Sequence, residues 1–265
     1  MKHIILYIFI FFIAKFSSAQ TLSCEEMENL LIKSYSKILY YADKNEQDSL
    51  LIQNDEFFER LKFYTKYFPE TLTYPFRKLQ DSARISIASS TDSLFRIYSW
   101  NTWRGGTWHM YENIYQYINK GKVHALYMIL ELADSLNKYP QGSLYSDIFS
   151  LKNNDTTYYL AISNNTYSNK DCKQRIEISY IEDGNLIDVK IIKAKTGMRN
   201  SLSFNYDFFS VVDKPERPLK LITYDNLTQT INIPIVLADG KVTNKFIHYK
   251  FTGEYFEKVN IEKPK

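Results

Sequence analysis

The sequence predicts an α+β fold that is mainly antiparallel β, with an N-terminal helical segment followed by about twelve strands in meanders. Three observations carry this. Aromatic residues make up 16% of the chain, 22 of them Tyr and 17 Phe, and such side chains favour strands over helices. Helical periodicity is confined to the first part; from about residue 84 onward, short runs rich in aromatic and β-branched residues follow one another. Asp183-Gly184, Asp239-Gly240 and Gly105-Gly106 each sit between two such runs, where two-residue hairpin turns belong. The meanders leave three closures open: propeller-like, barrel or curved sheet.

The chain begins with the pattern of a signal peptide. Lys2 and His3 precede an apolar run over 4–14, and Ser17 and Ala19 supply the small residues of a cut before Gln20. That run is too short to span a bilayer, and no other long apolar stretch exists. The alternative is a lipoprotein cut at Cys24, but Thr21-Leu22-Ser23 lacks the large aliphatic residue expected three positions before the cysteine. The chain is thus expected to be secreted or periplasmic. Its domains read as signal peptide 1–19, helical cap 20–80 and antiparallel β domain 81–265. Losing Lys2 and Lys15 lowers the net charge from +3 to +1, which steers the protein neither to nucleic acid nor to an anionic membrane.

In the cap, Met27, Leu30, Leu31, Ile38 and Leu39 repeat at near-helical spacing over 24–44, with Ser23 and Glu26 set as a capping box. A second helix is expected over 55–68, with Phe57, Phe58, Leu61, Tyr64 and Phe68 as its apolar stripe and Pro69 as its stop. Residues 71–77, with Pro75 inside, read as an extended linker. Strands follow at 84–89, 94–103, 107–118 and 122–129, then a short helix over 130–137. Further strands fall at 143–150, 157–163, 174–182 and 185–193, and again at 201–211, 219–224, 228–238, 241–251 and 254–259. Pro234 inside its strand implies an edge or a bulge.

The stretch 95–117 holds all three tryptophans, Trp100, Trp103 and Trp108. With Gly105-Gly106 as the loop, Trp103 pairs with Trp108 and Asn101 with Met110, which segregates a core face from an aromatic face with polar tips. Arg96, Tyr98, Trp100, His109, Tyr111, Asn113 and Tyr115 fall on that second face. They form the candidate ligand platform, unless cap residues such as Phe57, Phe58 and Phe68 cover it. A weak echo relates Ser99-Trp100-Asn101-Thr102 to Ser163-Asn164-Asn165-Thr166, about 64 residues on, and Gly121 to Gly184. Each unit would be a four-stranded meander; a third, ending at Gly240, fits less well.

The string 90–107, STDSLFRIYSWNTWRGGT, resembles a signature of uncharacterised secreted proteins of Bacteroidota, S-x-D-x-x-x-R-I/V-Y-S-W-D-T followed by G-G-T. Asp92, Arg96, Tyr98, Ser99, Trp100, Thr102, Gly105, Gly106 and Thr107 match it, and Asn101 stands where aspartate is usual. The resemblance implies secretion and continuity of fold. It carries over no functional residues.

No nucleophile elbow, metalloprotease helix or phosphate loop occurs, and no cofactor or metal is implied. His109, His124 and His248 lie in three different predicted strands. Cys24 and Cys172 either bridge, as an oxidising compartment allows, or remain two free thiols. The reading favoured over an enzyme is a binding module for a glycan, a peptide or an envelope protein. The alternatives are a secreted hydrolase using His109 or Asp92 near the central hairpin, and a structural envelope component.

Overall fold

The computed structural model describes residues 22–127 and 142–260. The expected signal peptide and the helix over 130–137 lie outside the described residues. Helix α1 (Cys24–Asp43) starts at the expected capping box: Ser23 Oγ accepts from Glu26 N at 3.2 Å, and Glu26 Oε2 accepts from Ser23 N at 2.8 Å. Asn45 (φ 56°) reverses the chain in the left-handed conformation that asparagine tolerates. Helix α2 (Gln47–Tyr67) begins two turns before the expected residue 55. Its early positions Gln53 and Asn54 are polar yet buried, which hid the stripe from a hydrophobic pattern. The expected linker is instead a 3₁₀ turn (Pro69–Leu72) and helix α3 (Arg77–Ala83), so the helical segment ends just past residue 80. Glu28, buried on α1, holds α3 by accepting from Leu79 N at 3.0 Å and from Tyr74 Oη at 3.2 Å.

Among the described residues the strands form three open sheets, antiparallel but for one pairing, and none closes into a barrel. The first contains β1 (Ser86–Ser89), β2 (Phe95–Asn101), β3 (Tyr111–Asn119) and β4 (Lys122–Tyr127), in that order. The second is a meander of β5 (Leu144–Asn153), β6 (Thr156–Thr166), β7 (Asp171–Glu182) and β8 (Asn185–Asp188), with β11 (Ser201–Asp207) also on β7. The third runs β10-β9-β15-β14-β13-β12. There β12 (Thr223–Asp225), β13 (Thr230–Val236), β14 (Val242–Phe251) and β15 (Phe256–Val259) make the meander. The short strands β9 (Ile192–Ala194) and β10 (Gly197–Arg199) extend it through one parallel pairing. The bulge foreshadowed by Pro234 is present, between Pro234 and Val236.

The helices and sheets stack in layers with a core in each gap. Phe57, Leu61 and Phe76 meet Tyr98, Trp100 and Ile114 between the helices and the first sheet. Phe95, Ile97 and Tyr117 meet Tyr145, Ile148 and Tyr159 between the first and second sheets. Leu160, Ile162 and Ile176 meet Ile231, Phe251 and Phe256 between the second and third. Strand β2 is therefore buried on both faces.

The internal echo is real in the fold. Lys120-Gly121 and Asp183-Gly184 are equivalent turns, each joining the third and fourth strands of its meander with positive φ at both residues. The two turns touch: Lys120 Nζ lies 2.9 Å from Asp183 Oδ1, and Tyr117 Oη donates to Gly184 O at 3.0 Å. In the third meander the equivalent glycine is Gly253, between β14 and β15, rather than Gly240. Asp239-Gly240 closes a wider turn than two residues, since Leu237 N donates to Lys241 O.

The register of the central hairpin differs by one from the expected pairing. Asn101 pairs with Tyr111, Trp100 with Glu112 and Phe95 with Tyr117, so Trp103 and Trp108 lie in the connection rather than in facing strands. Gly106 (φ 61°) supplies a turn conformation, whereas Gly105 is required by space: a Cβ there would lie 1.9 Å from Trp108 O.

Candidate functional site: a cleft at the tip of the central hairpin

The structure divides the expected platform. Arg96, Tyr98 and Trp100 point to the helices and are buried there. Arg96 Nη1 donates to Thr71 O (2.7 Å) and Tyr74 O (2.6 Å), which pins the 3₁₀ turn, and Tyr98 Oη donates to Thr71 O at 2.7 Å. The Trp100 ring lies 5.2 Å from Phe57 and 6.2 Å from Phe58, so the cap covers this face. Asn113 and Tyr115 point the other way. Asn113 grips Ser143 by two hydrogen bonds, and Tyr115 Oη bonds Tyr145 Oη at 3.2 Å. Of the seven, His109 and Tyr111 line an open cavity.

That cavity is a cleft of about 1500 Å³ between α1, α3, the β2–β3 connection, the ends of β6 and β7, and the segment after β11. The two echoed motifs end at it: Asn101 comes from the first meander, and Asn164, Asn165 and Thr166 from the second. Both motifs end strands that occupy the same place in their meanders, so the repeat brings them to one rim. His109 N donates to Thr166 O at 3.0 Å and joins the two hairpin tips.

Trp103 forms one lip. It is 41% exposed and holds φ 59°, a left-handed conformation that is an outlier for a bulky residue. Two bonds keep it there. Its N–H donates to Asn101 Oδ1 at 2.9 Å, and its Nε1 donates to Tyr35 Oη at 3.1 Å. Tyr35, buried on α1, donates in turn to Asn101 O at 2.9 Å. Burial holds the Tyr35 phenol well above its usual range, so the hydroxyl keeps its proton. Phe209, 60% exposed, stands on the segment after β11 and also lines the cleft.

His109 lies against Tyr111, with Nδ1 at 3.1 Å from Tyr111 Oη. Burial lowers the imidazole pKa and pushes the Tyr111 phenol up to about 12, so both rings are neutral at neutral pH. Nε2 of His109 makes no hydrogen bond among the described residues. The same holds for the side chains of Asp81, Arg84, Thr107 and Asn169, all of which line the cleft. Cys172 also lines it, with its thiol pushed up by burial. The disulfide is not formed; Cys24 and Cys172 are both free. Asp92 lies elsewhere, tying the β1–β2 turn by accepting from Leu94 N (3.1 Å) and Tyr159 Oη (3.2 Å).

Among the described residues no group of three His, Cys, Asp or Glu is placed to hold a metal. No helix among them is long and apolar enough to cross a membrane. Tyr35, Arg84, Phe209 and Arg217 were invisible as site residues in the sequence. Of the residues singled out from the sequence, His109 and Tyr111 belong to this rim, and the echo of Ser-x-Asn-Thr falls on it as well. Comparison with models of known protein families finds no match, and comparison with curated proteins finds none either.

Proposed function

We propose that the chain is a secreted binding protein whose cleft takes an oligosaccharide. The observation that carries this reading is Trp103: an exposed indole held at the lip in a strained backbone conformation by Asn101 and Tyr35. Strain that costs on the order of 1–3 kcal/mol persists where the surroundings enforce it, and such outliers cluster at ligand clamps. A sugar ring offers an apolar face for stacking and hydroxyls at its edge. The cleft offers Trp103 and Phe209 for the face, and Thr107, Asn169 and the His109 imidazole for the hydroxyls.

A hydrolase is the weaker reading. The imidazole of His109 is bonded to a tyrosine and not to a carboxylate, and Asp92 serves a turn outside the cleft. The test is titration calorimetry of the mature protein against a panel of neutral and acidic oligosaccharides. At least one should bind, and Trp103→Ala should weaken it by roughly tenfold or more, as loss of a central aromatic anchor does. A panel with no binder, or binding indifferent to Trp103→Ala, would overturn the reading.

A further inference from the structure

The geometry points to a carboxylate receptor at Arg217, and hence to a uronic acid-containing oligosaccharide as the ligand of the cleft; this rests on the saccharide reading above. Arg217 lines the cleft beside Phe209. Its guanidinium is held by three backbone carbonyls: Nη1 donates to Lys214 O and to Glu216 O (2.7 Å), and Nη2 donates to Val212 O (3.1 Å). The plane also lies over the Phe208 ring, 5.4 Å from its centroid. Nε–H makes no hydrogen bond among the described residues, and Nη2 carries a second N–H beyond the one given to Val212 O. Nε–H lies on the edge of the planar fork that Nη2 shares, and a carboxylate oxygen can take a charge-assisted bond there.

The charge around it agrees. Among the described residues Arg217 has no carboxylate partner, and neither does Arg84 on the α3 side of the cleft. Asp81 is the one carboxylate in the lining among the described residues, and His109 is neutral at neutral pH. Among the described residues the lining is thus net positive, and its remaining groups are aromatic rings, neutral hydrogen-bonding side chains and aliphatic side chains such as Leu39 and Leu144. A polymer that combines ring faces, hydroxyls and a carboxylate on each sugar satisfies all three features. Because carbonyls already fix the fork, little side-chain freedom is lost when an acid docks.

The experiment uses one oligosaccharide in two forms: oligogalacturonate and the same chain with its carboxyls reduced to alcohols. Calorimetry at low salt should show the acidic form binding roughly tenfold or more tightly, the discrimination expected of a charge-assisted pair. R217K, which keeps the charge and loses the fork, and R217A should each bring the two forms within about twofold of one another. Retained thermal unfolding temperature in both variants shows that they are folded. Equal affinity of the wild type for the two forms overturns the carboxylate receptor and leaves the saccharide cleft standing. Preference for the acid that survives in R217A overturns the assignment to Arg217. Binding of neither form, with a panel of other saccharides also silent, overturns both.

Discussion

Replacing Trp103 by alanine and, separately, by glycine isolates the backbone of the cleft lip from its indole. Both changes delete the same ring and the same hydrogen bond to Tyr35, so the difference between them reports the main chain at φ 59°. At an ordinary position glycine is the poorer residue by about 0.4–1 kcal/mol, because unfolded glycine has more freedom to lose. In the left-handed region alanine carries a steric cost of roughly 1–2 kcal/mol that glycine escapes. The second term is the larger, so W103G should match W103A or exceed it by up to about 1.5 kcal/mol. Urea denaturation with an unchanged m-value reads this as a shift in midpoint. A glycine variant less stable than the alanine variant by half a kcal/mol would refute the left-handed lip, and the preorganisation argued from it would go too. Saccharide binding should weaken by roughly tenfold or more in both, since both lack the ring.

Three further outcomes follow from the geometry. Gly105→Ala should destabilise more than Gly106→Ala in the same urea assay. The first drives a Cβ into Trp108 O at 1.9 Å and opens the turn, while the second meets open space and adds only the strain of φ 61°, about 1 kcal/mol. His109, whose folded pKa is depressed by burial, binds protons less readily than in the unfolded chain. Its contribution is therefore present above the unfolded value near 6.5 and is lost as pH falls through the lower folded value. Chemical denaturation from pH 7 to pH 5 should show a decline that His109→Gln reduces. Alkylation of the denatured protein without reductant should label both Cys24 and Cys172; a mass two hydrogens short with no label would contradict the free thiols.

The pattern of strands was legible because runs rich in aromatic and β-branched residues lie between turn residues, and turns such as Asp183-Gly184 declare themselves. The layer order was not. Tyr98 and Trp100 on one side of β2, and Tyr115 and Tyr145 between the sheets, are aromatic with polar tips. Such residues suit an open platform and a hydrogen-bonded core equally well, and only the packing of α2 decides between them. Helix α3 was hidden by Pro75 and by Phe76, which enters it at φ 46°. The register slip has a local cause. Gly105-Gly106 looks like a two-residue turn, but the strands part at Thr102, whose Oγ1 donates to Met110 O at 3.0 Å, so the glycines lie well outside the ladder. The cleft was out of reach for a different reason: Tyr35, Arg84, Trp103 and the pair Phe209 and Arg217 come from four separate segments.

The two equivalent hairpins then say where the chain spends residues beyond those the fold needs. From Asn101 to its partner Tyr111 nine residues intervene (102–110), and from Thr166 to its partner Cys172 only five (167–171). Lengthening a loop from five to nine costs about 0.5 kcal/mol in closure entropy. Ordering each added residue costs roughly another 1–2 kcal/mol, which contacts must offset. The long loop makes such contacts: Asn54 Nδ2 donates to Thr102 O at 3.0 Å, Trp103 reaches Tyr35, and His109 N reaches Thr166 O. The second meander shows that a five-residue link suffices to turn the chain. Replacing 102–110 by the five residues of 167–171 removes an even number of positions, so every side chain of β3 keeps its face. That chimera should fold with the same far-UV spectrum and a melting temperature within several degrees of the parent, since lost contacts and relieved ordering cost oppose each other. It should bind no saccharide. Binding at parental affinity would show that the long loop serves the fold alone, and that the cleft's ligand does not touch Trp103.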